Sequence, residues 1–121
     1  MRIASGGWFL GAAVVLGVGL SGVPVRAADS VTGEVVDLSC YLHQPETGRG
    51  STHRKCAETC AKKGLPMGVL VDDGSVVLLL EDHGNPSAYA DAIGKASKTV
   101  TVEGDKVTQG GMTGIVVEAV K

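Results

Sequence analysis

Three cysteines and two histidines fall within about twenty residues of this chain. Cys40 comes first, followed by Tyr41 and, three positions on, His43; then His53, Cys56 and Cys60 stand at i, i+3 and i+7. On a helix that spacing sets the last three along one stripe. If the stripe folds back beside Cys40, then Cys40, His53, Cys56 and Cys60 bring three thiols and one imidazole together. Such a Cys3His set is a recurrent tetrahedral donor set for zinc, and thiolates also select soft cuprous copper. Zn–S bonds of about 2.3 Å would place the sulfurs roughly 3.8 Å apart. Binding would draw a strand end and a helix onto one ion and stabilise a domain poor in aromatic residues. His43 is a reserve ligand, and Met67 or Met112 offers a thioether to a copper site. The paired C-x-x-C of zinc fingers is missing.

Two other chemistries use the same thiols. A disulfide from Cys40 to Cys56 or Cys60 would close a loop of 15 or 19 intervening residues, worth on the order of 3 kcal/mol. It leaves one odd thiol and gives a disulfide-stapled interaction module without metal. A bridge within the helix, Cys56 to Cys60, needs strained geometry. Thiol-redox work is the third reading, with attacking and resolving cysteines, although neither C-x-x-C nor the C-x-x-C-H of covalent haem occurs. Asp37, three residues before Cys40, either orients a ligand histidine or simply accepts backbone hydrogen bonds at a strand end. Glu81-Asp82-His83 and Asp72-Asp73 read as turn residues. Ser39 and Ser51 lack a G-x-S-x-G setting, and the glycines form no phosphate-binding loop. No residue set defines an active site, so binding is favoured over catalysis.

The elements that must position these groups follow from local pattern. Val31 to Cys40 is rich in β-branched residues and predicts a strand, with Gly33 marking a bulge or bend. Gln44 to Gly50 is a polar loop. A helix follows from about Thr52 to Lys63, with Ser51 or Thr52 as N-cap and with Gly64 and Pro66 marking its end. Gly68 to Asp72 and Ser75 to Leu80 flank Asp73-Gly74, a pair suited to a type I′ hairpin turn. Asn85-Pro86 opens a short second helix to about Lys95, with Asn85 as N-cap and with Tyr89 and Ile93 on one face. Lys98 to Glu103 and Thr113 to Val120 are the last strands. The order strand, helix, hairpin, helix, strand, strand predicts a mostly β protein with two short helices, a small five-stranded OB-like barrel. An open α+β sheet is the alternative. Val69, Leu70, Val71, Val77, Leu79, Val100, Val102, Ile115 and Val117 are the expected core.

The runs D-L-S-C-Y (Asp37 to Tyr41), H-R-K-C-A-E-T-C (His53 to Cys60) and G-L-P-M-G-V-L (Gly64 to Leu70) resemble a group of small exported bacterial proteins. That group shares a G-x-V-x-D-x-x-C-Y, H-x-x-C-A-x-x-C and G-x-P-x-G-x-L pattern. The resemblance covers about Gly33 to Leu80. It implies export and an OB-like fold, and it brings no substrate or activity with it.

Export is also what the N-terminus predicts. Met1-Arg2 is a basic start, Trp8 to Leu20 is continuously apolar, and Val25-Arg26-Ala27 suits a signal peptidase. Residues 1–27 therefore read as a signal peptide and 28–121 as a single domain, periplasmic or secreted, the alternative being an uncleaved anchor. Cleavage removes Arg2 and Arg26 and leaves 9 basic residues against 13 acidic ones, with Tyr41 and Tyr89 as the only aromatics. Such a domain has neither the basic surface nor the stacking platforms that nucleic acid requires. It also has no apolar run long enough to span a membrane. The partners this leaves are a metal ion and an unidentified protein.

Overall fold

The computed structural model describes residues 22–121; most of the predicted leader, residues 1–21, lies outside them. The described chain runs β1 (Asp29–Asp37), α1 (Leu38–His43), a single 3-10 turn (Ser51–His53), α2 (Arg54–Lys62), β2 (Met67–Leu70), β3 (Val76–Leu80), α3 (Pro86–Ile93), β4 (Thr99–Gln109) and β5 (Met112–Val120). The five strands close into a barrel in the order β1-β2-β3-β5-β4. All neighbours are antiparallel except β3 and β5, which run parallel. This is the OB-like barrel expected, and closure removes the exposed edges that an open sheet would leave.

Closure depends on β1 serving two partners. Its first half, Asp29 to Glu34, pairs with β4, and its second half, Glu34 to Asp37, pairs with β2. The change-over needs a close backbone approach at Gly33, where a Cβ would sit 2.1 Å from the Leu70 carbonyl oxygen. Gly104 does the same at the bulge in β4, where a Cβ would meet the Val116 oxygen at 1.8 Å. Bulges and glycines of this kind bend strands tightly enough for a small barrel.

Alternate residues of each strand fill the interior. Val31, Val35, Val69, Val77, Leu79, Val100, Val102, Ile115 and Val117 are buried there together with Met67. Ala57 and Ala61 of α2 and Ala92 of α3 seal the barrel with small side chains that let the helices lie close. Val71 is only half-buried against this core, and Leu70 belongs to a smaller cluster with Val36 and Leu38. Tyr89 and Ile93 pack on the main core from one face of α3.

Several local expectations are corrected. There are three short α-helices rather than two, because the first strand ends at Asp37 and the chain turns at once into α1. Asp37 is the N-cap: its Oδ1 accepts the Cys40 N–H at 2.8 Å, the bond that favours Asp at this position. A 3-10 turn precedes α2, so its N-cap is His53 rather than Ser51 or Thr52.

The Asp73-Gly74 hairpin turn differs from expectation as well. The Asp73-Gly74 turn has positive φ only at Gly74. Val71 and Ser75 form the closing pair, and the Gly74 N–H donates to the Val71 oxygen, which gives a three-residue type I turn with a glycine bulge. Asp73 Oδ1 accepts from both the backbone and the hydroxyl of Ser75, a local bond that favours this turn over type I′. The two-residue turn with positive φ throughout is Gly110-Gly111, at 59° and 78°. It joins β4 and β5, whose paired lengths extend well past Glu103 and start before Thr113. Asn85 is the N-cap of α3 as predicted and its carbonyl accepts the Ala88 N–H, but its side chain makes no capping bond; its Oδ1 accepts from the Ser87 hydroxyl instead.

Candidate metal centre

The junction of β1, α1 and α2 is built by a few backbone bonds. Leu38, the first residue of α1, donates its N–H to the Pro66 oxygen just before β2. Pro66 stands at the exit of α2, where Gly64 adopts a φ of +75°. There the Leu65 N–H donates to the Cys60 oxygen and the Gly64 N–H to the Ala61 oxygen. That pair of bonds is a Schellman motif, the helix ending that glycine makes inexpensive. The start of α1 and the end of α2 are therefore tied together, and Cys40 and Cys60 lie on the tied ends.

Three sulfurs meet at this junction. Cys40, Cys56 and Cys60 lie with their Sγ atoms all within 4.8 Å of one another. Cys40 and Cys56 are 3.8 Å apart, the edge length of a tetrahedral thiolate site with metal–sulfur bonds of about 2.3 Å. Cys60 is buried, Cys40 half-buried and Cys56 exposed, so the cluster opens to solvent on the Cys56 side, and all three are free thiols.

His53 takes a different place from the one its helical spacing suggested. The 3-10 turn changes its direction, and its Nε2 lies 2.8 Å from Oδ2 of Asp37. An ionised carboxylate only accepts, so Nε2 carries the proton and donates it. His53 joins Asp37 and Cys40 in a second group whose donor atoms lie within 4.8 Å, and it stays outside the three-sulfur group. Asp37 accepts backbone and side-chain bonds at once: one oxygen caps α1, as its strand-end reading expected, and the other holds the His53 imidazole. His43 belongs to neither group. Met67 is packed in the barrel core, and Met112 is exposed beside the β4–β5 turn.

Asp37 sets the electrostatics. It is fully buried. Burial pushes its carboxyl up, but the hydrogen bonds from the Cys40 backbone, His53 and the Cys40 thiol, with the histidine's charge, outweigh that and hold it below the ordinary carboxylate range. The same carboxylate, with burial and the neighbouring Cys56, pushes the Cys40 thiol up to about 12. Burial chiefly, and then the charge of Asp37, raises the Cys60 thiol. Without an ion the buried thiols are therefore protonated at neutral pH, and a cation that binds must displace protons. Raised in this way, Cys40 and Cys60 are poorly suited to nucleophilic attack, which needs the thiolate.

Comparison with family models, with curated proteins and with solved structures returned no match. The chemistry of the junction itself must therefore carry the functional reading.

Proposed function

We propose that this protein is a small exported binding module that holds a soft or borderline metal ion, zinc or copper, at the site formed by Cys40, Cys56 and Cys60 with His53 beside them. The single observation that carries this reading is the convergence of three sulfurs, from two helices, within 4.8 Å. Three thiols drawn together from two helices, two of them on tied helix ends, form a preorganised donor set, and thiolates are the ligands that select soft ions. The test is the intact mass of reduced protein purified with metal retained, measured under native and denaturing conditions. A native excess equal to one metal ion supports the reading; identical native and denatured masses, with no uptake on adding zinc or cuprous ion, defeat it.

One observation favours a second reading. At 3.8 Å the Cys40 and Cys56 sulfurs are close enough to bridge by small side-chain rotations, since a disulfide needs about 2.05 Å between sulfurs. An oxidised module would then carry a Cys40–Cys56 bridge and leave Cys60 as the odd, buried thiol. A loss of two hydrogens with one titratable thiol is the mass signature of that form. Either form suits export, which the leader pattern and the resemblance both support. Among the described residues, no helix is long and apolar enough to cross a membrane.

A further inference from the structure

We infer that the cargo is a soft monovalent ion with a closed d shell, cuprous copper, bound by the three sulfurs of Cys40, Cys56 and Cys60 alone, while His53 and Asp37 position Cys40 without touching the ion. The inference rests on the metal-binding reading and narrows it to one class of ion and one donor set.

The sulfur edge does not separate zinc from copper, because three-coordinate and tetrahedral thiolate sites have nearly equal edges. The fourth ligand does. Structural zinc sites are closed by four protein donors, and zinc held by three keeps a water in the fourth position, whereas cuprous ion is satisfied by three sulfurs; the three-sulfur group here contains no fourth donor among the described histidine and carboxylate residues. The nearest imidazole lies outside the group. His53 gives its Nε2 proton to a carboxylate with no solvent exposure, and neither of its ring nitrogens comes within 4.8 Å of all three sulfurs. Turning the ring so that Nε2 met the sulfurs would leave Asp37 Oδ2 buried without a donor, which costs about 1–3 kcal/mol.

Asp37 lies outside the three-sulfur group as well. Its Oδ1 accepts from the Cys40 N–H and its Oδ2 from His53, and these bonds hold the carboxylate in place. Its position also fits a different task. By capping α1 at its first turn, it fixes the backbone of Cys40 and hence the placement of one of the three sulfurs. His53 in turn fixes the carboxylate. A soft monovalent ion is satisfied by three sulfurs and gains nothing from a hard carboxylate. The exposed Cys56 leaves one side of the site open for an ion to enter.

The experiment uses the full mature chain, reduced and free of oxygen, titrated separately with cuprous ion and zinc against chromophoric chelators. It compares the wild type with His53→Ala and His53→Gln. X-ray absorption at the copper edge reads the donor atoms directly. The expected spectrum fits three sulfurs and no nitrogen in the wild type and in both variants. His53→Ala, which strands Asp37, should weaken cuprous binding about tenfold, the usual scale for losing an outer-shell partner. His53→Gln, whose amide donates to the same oxygen, should recover most of that loss. A nitrogen in the wild-type spectrum that vanishes in His53→Gln overturns the inference and leaves the metal reading standing. So does a four-donor zinc site that cuprous ion does not displace. Failure to bind either ion removes both.

Discussion

The buried carboxylate of Asp37 bonds the Cys40 backbone with one oxygen and the His53 imidazole with the other, each at 2.8 Å. Asp37 and His53, 16 positions apart, are thereby joined through a carboxylate with no access to water. The arrangement links the N-cap of one helix to the N-cap of the next, on either side of the polar loop. Glu34 supports the same loop from the strand by accepting the Gly50 N–H. The sulfur cluster sits on a frame of backbone and carboxylate bonds, so its geometry is set by folding and not by the ion alone.

Asp37→Asn is expected to destabilise the metal-free, reduced domain at neutral pH by about 1–3 kcal/mol, the scale of a compromised buried hydrogen-bond network. The pH dependence has a definite sign. The carboxyl is held below its ordinary value of 3.8 in the folded state. Its stabilisation is therefore complete above that value and is lost as pH falls through the lower folded one. The melting-temperature gap between wild type and variant should be constant above about pH 5 and narrow below about pH 4. A gap that stays constant down to pH 2.5 would show that the charge of Asp37 plays no part.

The thiols should differ in reactivity in a fixed order. Cys56 is exposed, whereas the Cys40 thiol is pushed up to about 12 by the Asp37 carboxylate, burial and Cys56. Cys60 is buried, and its thiol is raised chiefly by that burial. Alkylation of the metal-free protein at pH 8, followed by peptide mass spectrometry, should label Cys56 first and the other two slowly. Asp37→Asn should speed labelling of Cys40, since the nearby negative charge has gone. Equal rates at Cys40 and Cys56 in the wild type would contradict this account.

Much of the barrel was legible because it rests on alternation and on turn residues. Val100 and Val102, or Ile115 and Val117, bury every second side chain, and that period is visible in one dimension. What escaped was settled by competition between short-range bonds. Asp73-Gly74 carries the residues of a type I′ turn, yet Asp73 bonds Ser75 and only Gly74 takes positive φ. The segment Leu-Ser-Cys after Asp37 looks like a strand continuing, because a helix of only six residues shows little periodicity. Only the Asp37 cap decides it. The cysteine cluster was legible from spacing along α2. The direction of His53 was not, because it depends on a 3-10 turn and on a carboxylate sixteen residues away.

The proposed cut after Ala27 would fall in exposed chain two residues before β1 begins at Asp29, so cleavage there would leave every strand intact. N-terminal sequencing of exported protein should begin at Ala28. Material in the membrane fraction that still begins at Met1 would establish an anchor in its place.

Gly48 offers a test of whether metal affinity depends on where α1 lies. It is buried in the loop after α1, and a Cβ there would meet the Cys40 carbonyl carbon and oxygen at 2.7 Å and the Tyr41 Cα at 2.8 Å. These are backbone atoms, which cannot swing aside as a side chain would. Gly48→Ala must therefore move the backbone that carries Cys40, at a cost of about 1–3 kcal/mol in stability. Moving Cys40 opens two of the three sulfur edges, so cuprous affinity should fall by about tenfold or more, as when a ligand loses its support. Gly50→Ala is the matching control in the same loop. Its Cβ would meet nothing within 4 Å, but its φ of 80° with ψ of 178° is a conformation essentially reserved for glycine, a strain of about 1–3 kcal/mol for alanine. It should lose stability and keep its affinity. If the two variants lose affinity equally, the loss reflects general loosening of the loop, and the site does not depend on the placement of Cys40 by α1.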